Sequence, residues 1–479
     1  MARARKALPT IVASGLVALA IFAWFGHAFL NYDTFYALVW GDDLAHGRAP
    51  QYDASVAPTP HPLAIAVGMP VSTIFGDHAE DVMLGLVIVA IGFLVVGLYR
   101  LGSELFAWPV GVLAAAIFAT RVPPLNFGIR GYVDLPAIAF VVWGAVLEAR
   151  RPRRGWPVLV LLGLAGLLRP EAWLYAGAYW LWLLPARDWP ARMRLLALAA
   201  AAPVIWGVSD LLVTGDALWS LHGTHDLAVQ LGRKRGLGNV PPVMPRRLGE
   251  IMRLPELIAS VIGFAAGLAW MRSRTLVPAA VVVLNWIAFL VLAVAGLPLL
   301  GRYLFLAGAM LSVLAAVAVF GWTAPLPDGR LRQRWQIGGW ALLAVIVAFF
   351  AAQQVDRLDA LREDIGNRDR VQADLHGLIH SPPARLALRH CGTLFVPNHR
   401  PVPELAYWTG RRPKQIVDAQ RMRPTPDGLF IAPATVAVAK LSILDPRDPT
   451  APATPPPGYR ELTRNRSWVL SGGCRGAYR

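Results

Sequence analysis

Runs of about twenty apolar residues recur along this chain, as at 8–30, 81–99 and 275–296. A run of that length crosses a hydrocarbon core as one helix, which needs roughly 17–25 residues. Composition agrees: 56% of residues are hydrophobic, 16% are charged, and the mean hydropathy is +0.46. A soluble domain is nearer half apolar and about a quarter charged. The chain therefore reads as a polytopic α-helical membrane protein.

The net charge of +16 and pI near 10.5 would suit a nucleic-acid binder. That class is excluded because the arginines lie between apolar runs, where cytoplasmic loops hold positive charge. Arg3, Arg5 and Lys6 precede the first run, as in a signal peptide. The run is too long for most signal peptides and no small-x-small site closes it, which predicts a retained signal anchor.

With the N-terminus inside, about eleven spans are expected, near 8–30, 81–99, 106–120, 132–148, 156–168, 171–185, 195–214, 255–271, 275–296, 303–322 and 336–352. Inside segments then hold Arg100, Arg150, Arg151, Arg153, Arg154, Arg187, Arg192, Arg194, Arg272, Arg274, Arg330, Arg332 and Arg334. Outside loops are sparse in basic residues, with one exception. The stretch 215–254 carries Arg233, Lys234, Arg235, Arg246, Arg247 and Arg253.

An odd span count leaves the C-terminal stretch outside. The expected division is a transmembrane domain over 1–352 and an extracytoplasmic α/β domain over 353–479. Strands are expected at 392–397 and 428–432, a short helix at 403–409, and a flexible Pro-rich loop at 445–457. Cys391 and Cys474, the two cysteines of the sequence, both fall in this domain. An oxidising compartment favours a disulfide between them over two unrelated small buried residues.

Polar groups that a span does not need gather at the outside helix ends. Asp33 follows the first run directly. It is either a general base at the membrane surface or the N-cap of the next helix. Asp42 and Asp43 are expected on a solvated helix face, since one acidic pair is a weak metal signal. Asp134 opens the fourth span before Pro136. Arg169 with Glu171, and Arg302 with Tyr303, interrupt apolar stretches at outside turns. Together with Arg130 and the cluster Arg233, Lys234 and Arg235, they would attract a phosphate held at the membrane surface. His222 and His225 are expected to be solvent-exposed on a flexible loop. Phosphate-loop, zinc-protease and serine-elbow motifs are absent from the sequence.

In order and sidedness these residues resemble the GT-C superfamily of membrane glycosyltransferases, which includes protein O-mannosyltransferases and aminoarabinose transferases. The matching stretches are Asp33-Thr-Phe-Tyr36, Asp43-Leu-Ala-His-Gly-Arg-Ala-Pro-Gln-Tyr52 and Pro60-His-Pro-Leu63, which contains His61. Asp134, the segment from Leu167 to Ala172, and Arg302-Tyr303 complete the match. The resemblance covers roughly the first 320 residues. It implies inverting transfer of a sugar from a polyprenyl-phosphate donor to a glycan, lipid or protein acceptor at the outer face, within reach of membrane lipid. Asp33 would be the base, and the arginines would offset charge on the departing phosphate. Thr34 stands where the family often has a second acid, so a metal site cannot be carried over, and a divalent cofactor stays open. The rival is a transporter or lipid flippase, which would place its polar groups near the midplane in broken helices. The two differ in whether Asp33, Asp134, Arg169 and Arg302 meet around one cavity.

Overall fold

The computed structural model describes residues 2–444, 451 and 454–474, with side chains from residue 8 onward except 350. Each expected apolar stretch is helical. In chain order the helices are α1 (Ala2–Phe25), α2 (Tyr32–Ala45), α3 (Pro62–Phe75), α4 (Ala79–Leu105), α5 (Trp108–Ala119), α6 (Val122–Ile129), α7 (Asp134–Arg150) and α8 (Trp156–Gly166). They continue with α9 (Ala172–Leu183), α10 (Trp189–Thr214), α11 (Trp219–Gln230), α12 (Val240–Trp270), α13 (Arg272–Val294), α14 (Phe305–Phe320) and α15 (Gly329–Ile379).

Among the described residues, six helical segments are long and apolar enough to cross a membrane, or eight if each of two bent pairs is one span. The expected count of about eleven is not reached on length. The helices α8 and α9 have 11 and 12 residues, a rise of roughly 16–18 Å against the ~30 Å of a hydrocarbon core. The protein is a multi-pass membrane protein whose shorter apolar helices pack within the bundle.

Helix α14 lies at its centre, with every residue from Phe305 to Val319 buried. A helix that is apolar all round belongs in such a place. Gly263 on α12 lets that helix approach the Leu314 carbonyl of α14, where any Cβ would collide. Outer helices show the reverse pattern. Leu16, Ile74, Leu212 and Val294 stand exposed, as side chains facing lipid do.

The segment between the expected spans at 8–30 and 81–99 is mostly helical: α2 and α3 pack face to face there. Only Asp42 keeps to the expected solvated face. Asp43 is buried, bonded to Arg48 at 2.8 Å and 3.9 Å from Arg412. The stretch holding His222 and His225 is also helical, as α11, because it packs beneath α10. His222 pairs with Asp216 at 2.7 Å and His225 meets the Gly296 carbonyl at 3.0 Å.

Helix α15, whose parts 329–349 and 351–379 meet at a bend of 47°, runs past residue 353 and carries the chain into α16 (Pro382–His390), β1 (Leu394–Val396), α17 (Val402–Thr409), β2 (Ile416–Asp418), β3 (Leu429–Pro433), β4 (Arg460–Arg464) and β5 (Trp468–Gly472). The sheet order is β2-β1-β3-β5-β4, with β1 parallel to β2 and β3 and the rest antiparallel. The expected strands and short helix are found where the sequence placed them. Cys391 and Cys474 form the expected disulfide, with 5.9 Å between their Cα atoms. Most of the loop expected at 445–457 lies outside the described residues.

The sheet domain docks on α2 to α4. Trp408 meets Phe35 edge-on, Trp408 Nε1 donates to Glu80 at 3.1 Å, and Lys414 pairs with Asp53 at 2.6 Å. This contact roofs the acidic start of α2.

Candidate active site

Asp33 is held by its neighbours rather than by capping duty. The N-cap of α2 is Asn31, whose side-chain oxygen accepts from the Asp33 and Thr34 amides at 2.8 and 3.3 Å. The capping alternative for Asp33 is thus overturned: the cap is already taken two residues earlier. Asn31 is in turn clamped to the turn between α6 and α7. Its backbone N–H and its Nδ2 both donate to the Arg130 carbonyl, at 2.9 and 2.8 Å. Thr34 Oγ1 donates to the Gly131 carbonyl at 2.7 Å. Gly131 has φ of +68°, a conformation that glycine adopts without strain. Thr34 therefore serves as an anchor between α2 and the turn before α7.

Freed from the cap, the Asp33 carboxylate accepts a hydrogen bond from Arg302 Nη1 at 2.9 Å. Arg302 is also 3.8 Å from Asp134, and Arg169 is 3.5 Å from Asp134 and 3.0 Å from Glu171. Tyr303 stacks beneath Arg169, 4.6 Å from ring centre to guanidinium. Residues far apart in sequence thus form one alternating chain of acids and guanidiniums. Asp33 keeps 16% of its side chain exposed and Asp134 only 3%. Asp33 faces outward, whereas Asp134 lies behind the arginines and holds them in place.

The outward face opens on a cavity of about 560 Å³. Asp33, His61, Arg169, Glu171, Arg233, Arg302 and Tyr303 line it, all of them singled out from sequence. Four other sequence candidates do not, the first being Asp134 behind the arginines. Arg130 stacks on Phe29 and Tyr132 and acts through its carbonyl. Lys234 is exposed and its carbonyl bonds the Leu299 amide, while the Arg235 carbonyl bonds Asn239. The structure adds Arg247, Asp210 and His399 to the lining. Asp210 is buried in α10 and accepts from the Ser220 amide and hydroxyl at 2.8 and 2.9 Å. His399 comes from the sheet domain and meets Tyr32 edge-on at 5.6 Å. Arg247 had been visible only as part of the basic stretch; His399 carried no sequence signal.

Burial opposes ionisation of Asp33, but the charge and hydrogen bond of Arg302, helped by His61 and Arg233, outweigh it and hold the carboxyl below its ordinary range. Burial, with Arg169 beside it, pushes His61 down to about 4. The site at neutral pH therefore contains a carboxylate, a neutral imidazole and several guanidiniums. Such a set suits an anionic ligand beside a hydroxyl. Among the described residues no group of three His, Cys, Asp or Glu side chains is placed to hold a metal ion.

Comparison with solved structures shows which proteins share this fold. The archaeal oligosaccharyltransferase AglB from Archaeoglobus fulgidus, in complex with an inhibitory peptide and a dolichol-phosphate, aligns at a TM-score of 0.51 and 12% identity over 86% of this chain and 64% of its own. This chain thus spans under two thirds of that protein's length. ArnT from Cupriavidus metallidurans in the apo state aligns at a TM-score of 0.50 and 14% identity over 99% of both chains. ArnT bound to undecaprenyl phosphate aligns at 0.47 and 14% identity over 98% of both. No protein-family profile and no curated protein sequence matches the chain.

Proposed function

We propose that this protein is a membrane glycosyltransferase that moves a sugar from a polyprenyl-phosphate donor to an acceptor hydroxyl at the outer face, with inversion. The observation that carries the reading is the contact between Asp33 and Arg302 at the wall of a cavity rich in guanidiniums. The fold shared with AglB and ArnT supports the same class.

In this mechanism the bond between the anomeric carbon and the phosphate oxygen breaks, and the phosphate leaves with the electron pair as the lipid phosphate. The acceptor oxygen attacks from the opposite face, and its proton passes to Asp33. Arg302, Arg169, Arg233 and Arg247 offset the charge on the departing phosphate, a contribution of several kcal/mol where water is excluded. The donor phosphodiester carries one negative charge and gains a second as the anomeric bond breaks. Its claim on Arg302 thus grows along the reaction, and proton affinity returns to Asp33 as the acceptor hydroxyl gives up its proton. The leaving group departs already ionised and needs no strong acid.

The N-terminus is assigned to the cytoplasm and the sheet domain to the outside. The arginines between the apolar runs support this by the positive-inside rule, and the disulfide suits an oxidising compartment. Profiling of lipid-linked glycans in a deletion strain tests the whole reading: one glycan should lose a sugar and regain it on complementation. An unchanged profile, with altered uptake or lipid distribution instead, would favour the transporter.

A further inference from the structure

A second cavity, of about 220 Å³, adjoins the first. Val56, Pro58, Thr59, Ser220, Thr224 and Leu227 line both, so a single layer of side chains separates them. Within that layer the hydroxyls of Thr59 and Thr224 hydrogen-bond to each other at 2.5 Å. Val56 has φ of +57°, a strained conformation for a β-branched residue, of the kind that clusters at ligand clamps. Its carbonyl accepts from the Tyr32 hydroxyl at 2.9 Å. The wall is thereby tied to the residue preceding Asp33.

The two cavities differ in chemistry. The large one is walled on its far side by Leu231, Leu292, Leu297 and Leu300, a surface for an isoprenoid chain. The small one is lined by Asp53, Ser55, Asp226, Gln230 and Arg421. Ser55 Oγ is buried there with no hydrogen-bond partner among the described residues, and Asp226 and Gln230 are exposed at the rim. A buried hydroxyl without a partner is costly unless a ligand or water satisfies it.

We infer that the small cavity is the acceptor subsite. It takes a polar, hydroxyl-rich acceptor group from water and passes the reacting hydroxyl to Asp33 through a gate formed by Thr59 and Thr224. This rests on the glycosyltransferase reading and adds the acceptor's chemistry and route. The lipid donor and the polar acceptor then reach Asp33 from opposite sides of one wall. The acceptor loses its proton to Asp33 only after the gate opens.

The test is a lock on the gate. The protein has no free cysteine among its described residues, so T59C with T224C supplies one new thiol pair at contact distance. The full-length variant is oxidised and assayed in membranes for the sugar transfer that glycan profiling defines, with wild type treated alike. Binding of undecaprenyl phosphate by the purified protein reports on the donor side. Oxidation should lower transfer by about tenfold or more, leave undecaprenyl phosphate binding unchanged, and be reversed by reductant. A locked variant that transfers at the wild-type rate overturns the gate while leaving the glycosyltransferase reading intact. Should the double variant fail to bind undecaprenyl phosphate, Asp226→Asn decides instead. Its apparent acceptor KM should rise about threefold or more with donor binding unchanged, and an unaltered KM overturns the subsite. If wild type transfers no sugar at all, both readings fall together.

Discussion

Arg302 Nη1 donates to Asp33 Oδ2 at 2.9 Å across 269 residues of sequence. That contact joins the start of the first outer helix to the start of α14 and brings an acid to a place prepared for an anion. Asp33→Asn should lower transfer by about 10²–10⁴-fold, the usual worth of a general base. Expression and membrane insertion should be unchanged, as checked by detergent gel filtration. Full activity in that variant would remove Asp33 from the chemistry.

Lipid-phosphate affinity should separate residues that are neighbours in sequence. Arg247 lines the cavity and pairs with Glu250 at 2.6 Å, whereas Lys234 is exposed outside it. Arg247→Ala should weaken undecaprenyl phosphate binding by about 1.5–3 kcal/mol, the net worth of a hydrogen bond to a charged group. Lys234→Ala should leave it unaltered. Equal losses in both variants would mean that the basic stretch acts as a diffuse surface charge.

Removal of the Asn31 side chain should act on Asp33 at one remove. Asn31→Ala loses the cap of α2, at a cost of about 1 kcal/mol, and releases Asp33 from the turn at Arg130. The expected result is a fall in kcat of about tenfold or more, as small misplacements in a site produce, with undecaprenyl phosphate binding retained. Asn31→Asp, which can still cap, should recover part of the loss. A variant with lowered thermal stability but unchanged kcat would reduce Asn31 to a purely structural role.

The pH response follows from two depressed pKa values. Asp33 ionises below its ordinary range and His61 stays neutral down to about 4. Neither changes charge between about pH 7 and pH 5, where an unperturbed histidine would titrate. The rate should show no acid limb from His61 in that window. Stability follows the same sign. Folding lowers both pKa values, so the unfolded chain binds more protons as pH falls. The His61 contribution erodes on falling from its ordinary value of 6.5 towards about 4, and that of Asp33 erodes lower still. An inflection in rate near pH 6.5 that His61→Gln abolishes would contradict this.

The disulfide closes a separation of 83 residues. Its removal in Cys391→Ser should cost about 2–5 kcal/mol in the sheet domain. The check is a melting curve with and without reductant; coincident curves would show that the bridge adds nothing.

The sequence revealed what local pattern can carry. Asp33, Asp134, Arg169 and Arg302 stood out because charge at the end of an apolar run is costly, and all four converge. The strands at Leu394–Val396 and Leu429–Pro433 were legible as short apolar runs. Other features depend on contacts between distant segments. Asp43 looked solvated because Arg412, which helps bury it, lies in another domain. His399 reaches the cavity only because α17 docks on α2. Helices α8 and α9 read as spans because hydropathy registers composition, while their 11 and 12 residues fall short.

The clamp on Asn31 and Thr34 ends on the main-chain oxygens of Arg130 and Gly131. A carbonyl offers the same acceptor whatever side chain follows it, so the location of Asp33 is encoded in the path of a turn. At 130 the side chain is free to drift without disturbing Asp33, and at 131 the demand is only for a residue that tolerates positive φ. A chain built this way can hold Asp33 in place with few demands on side-chain identity, and solved structures at 12–14% identity share its fold.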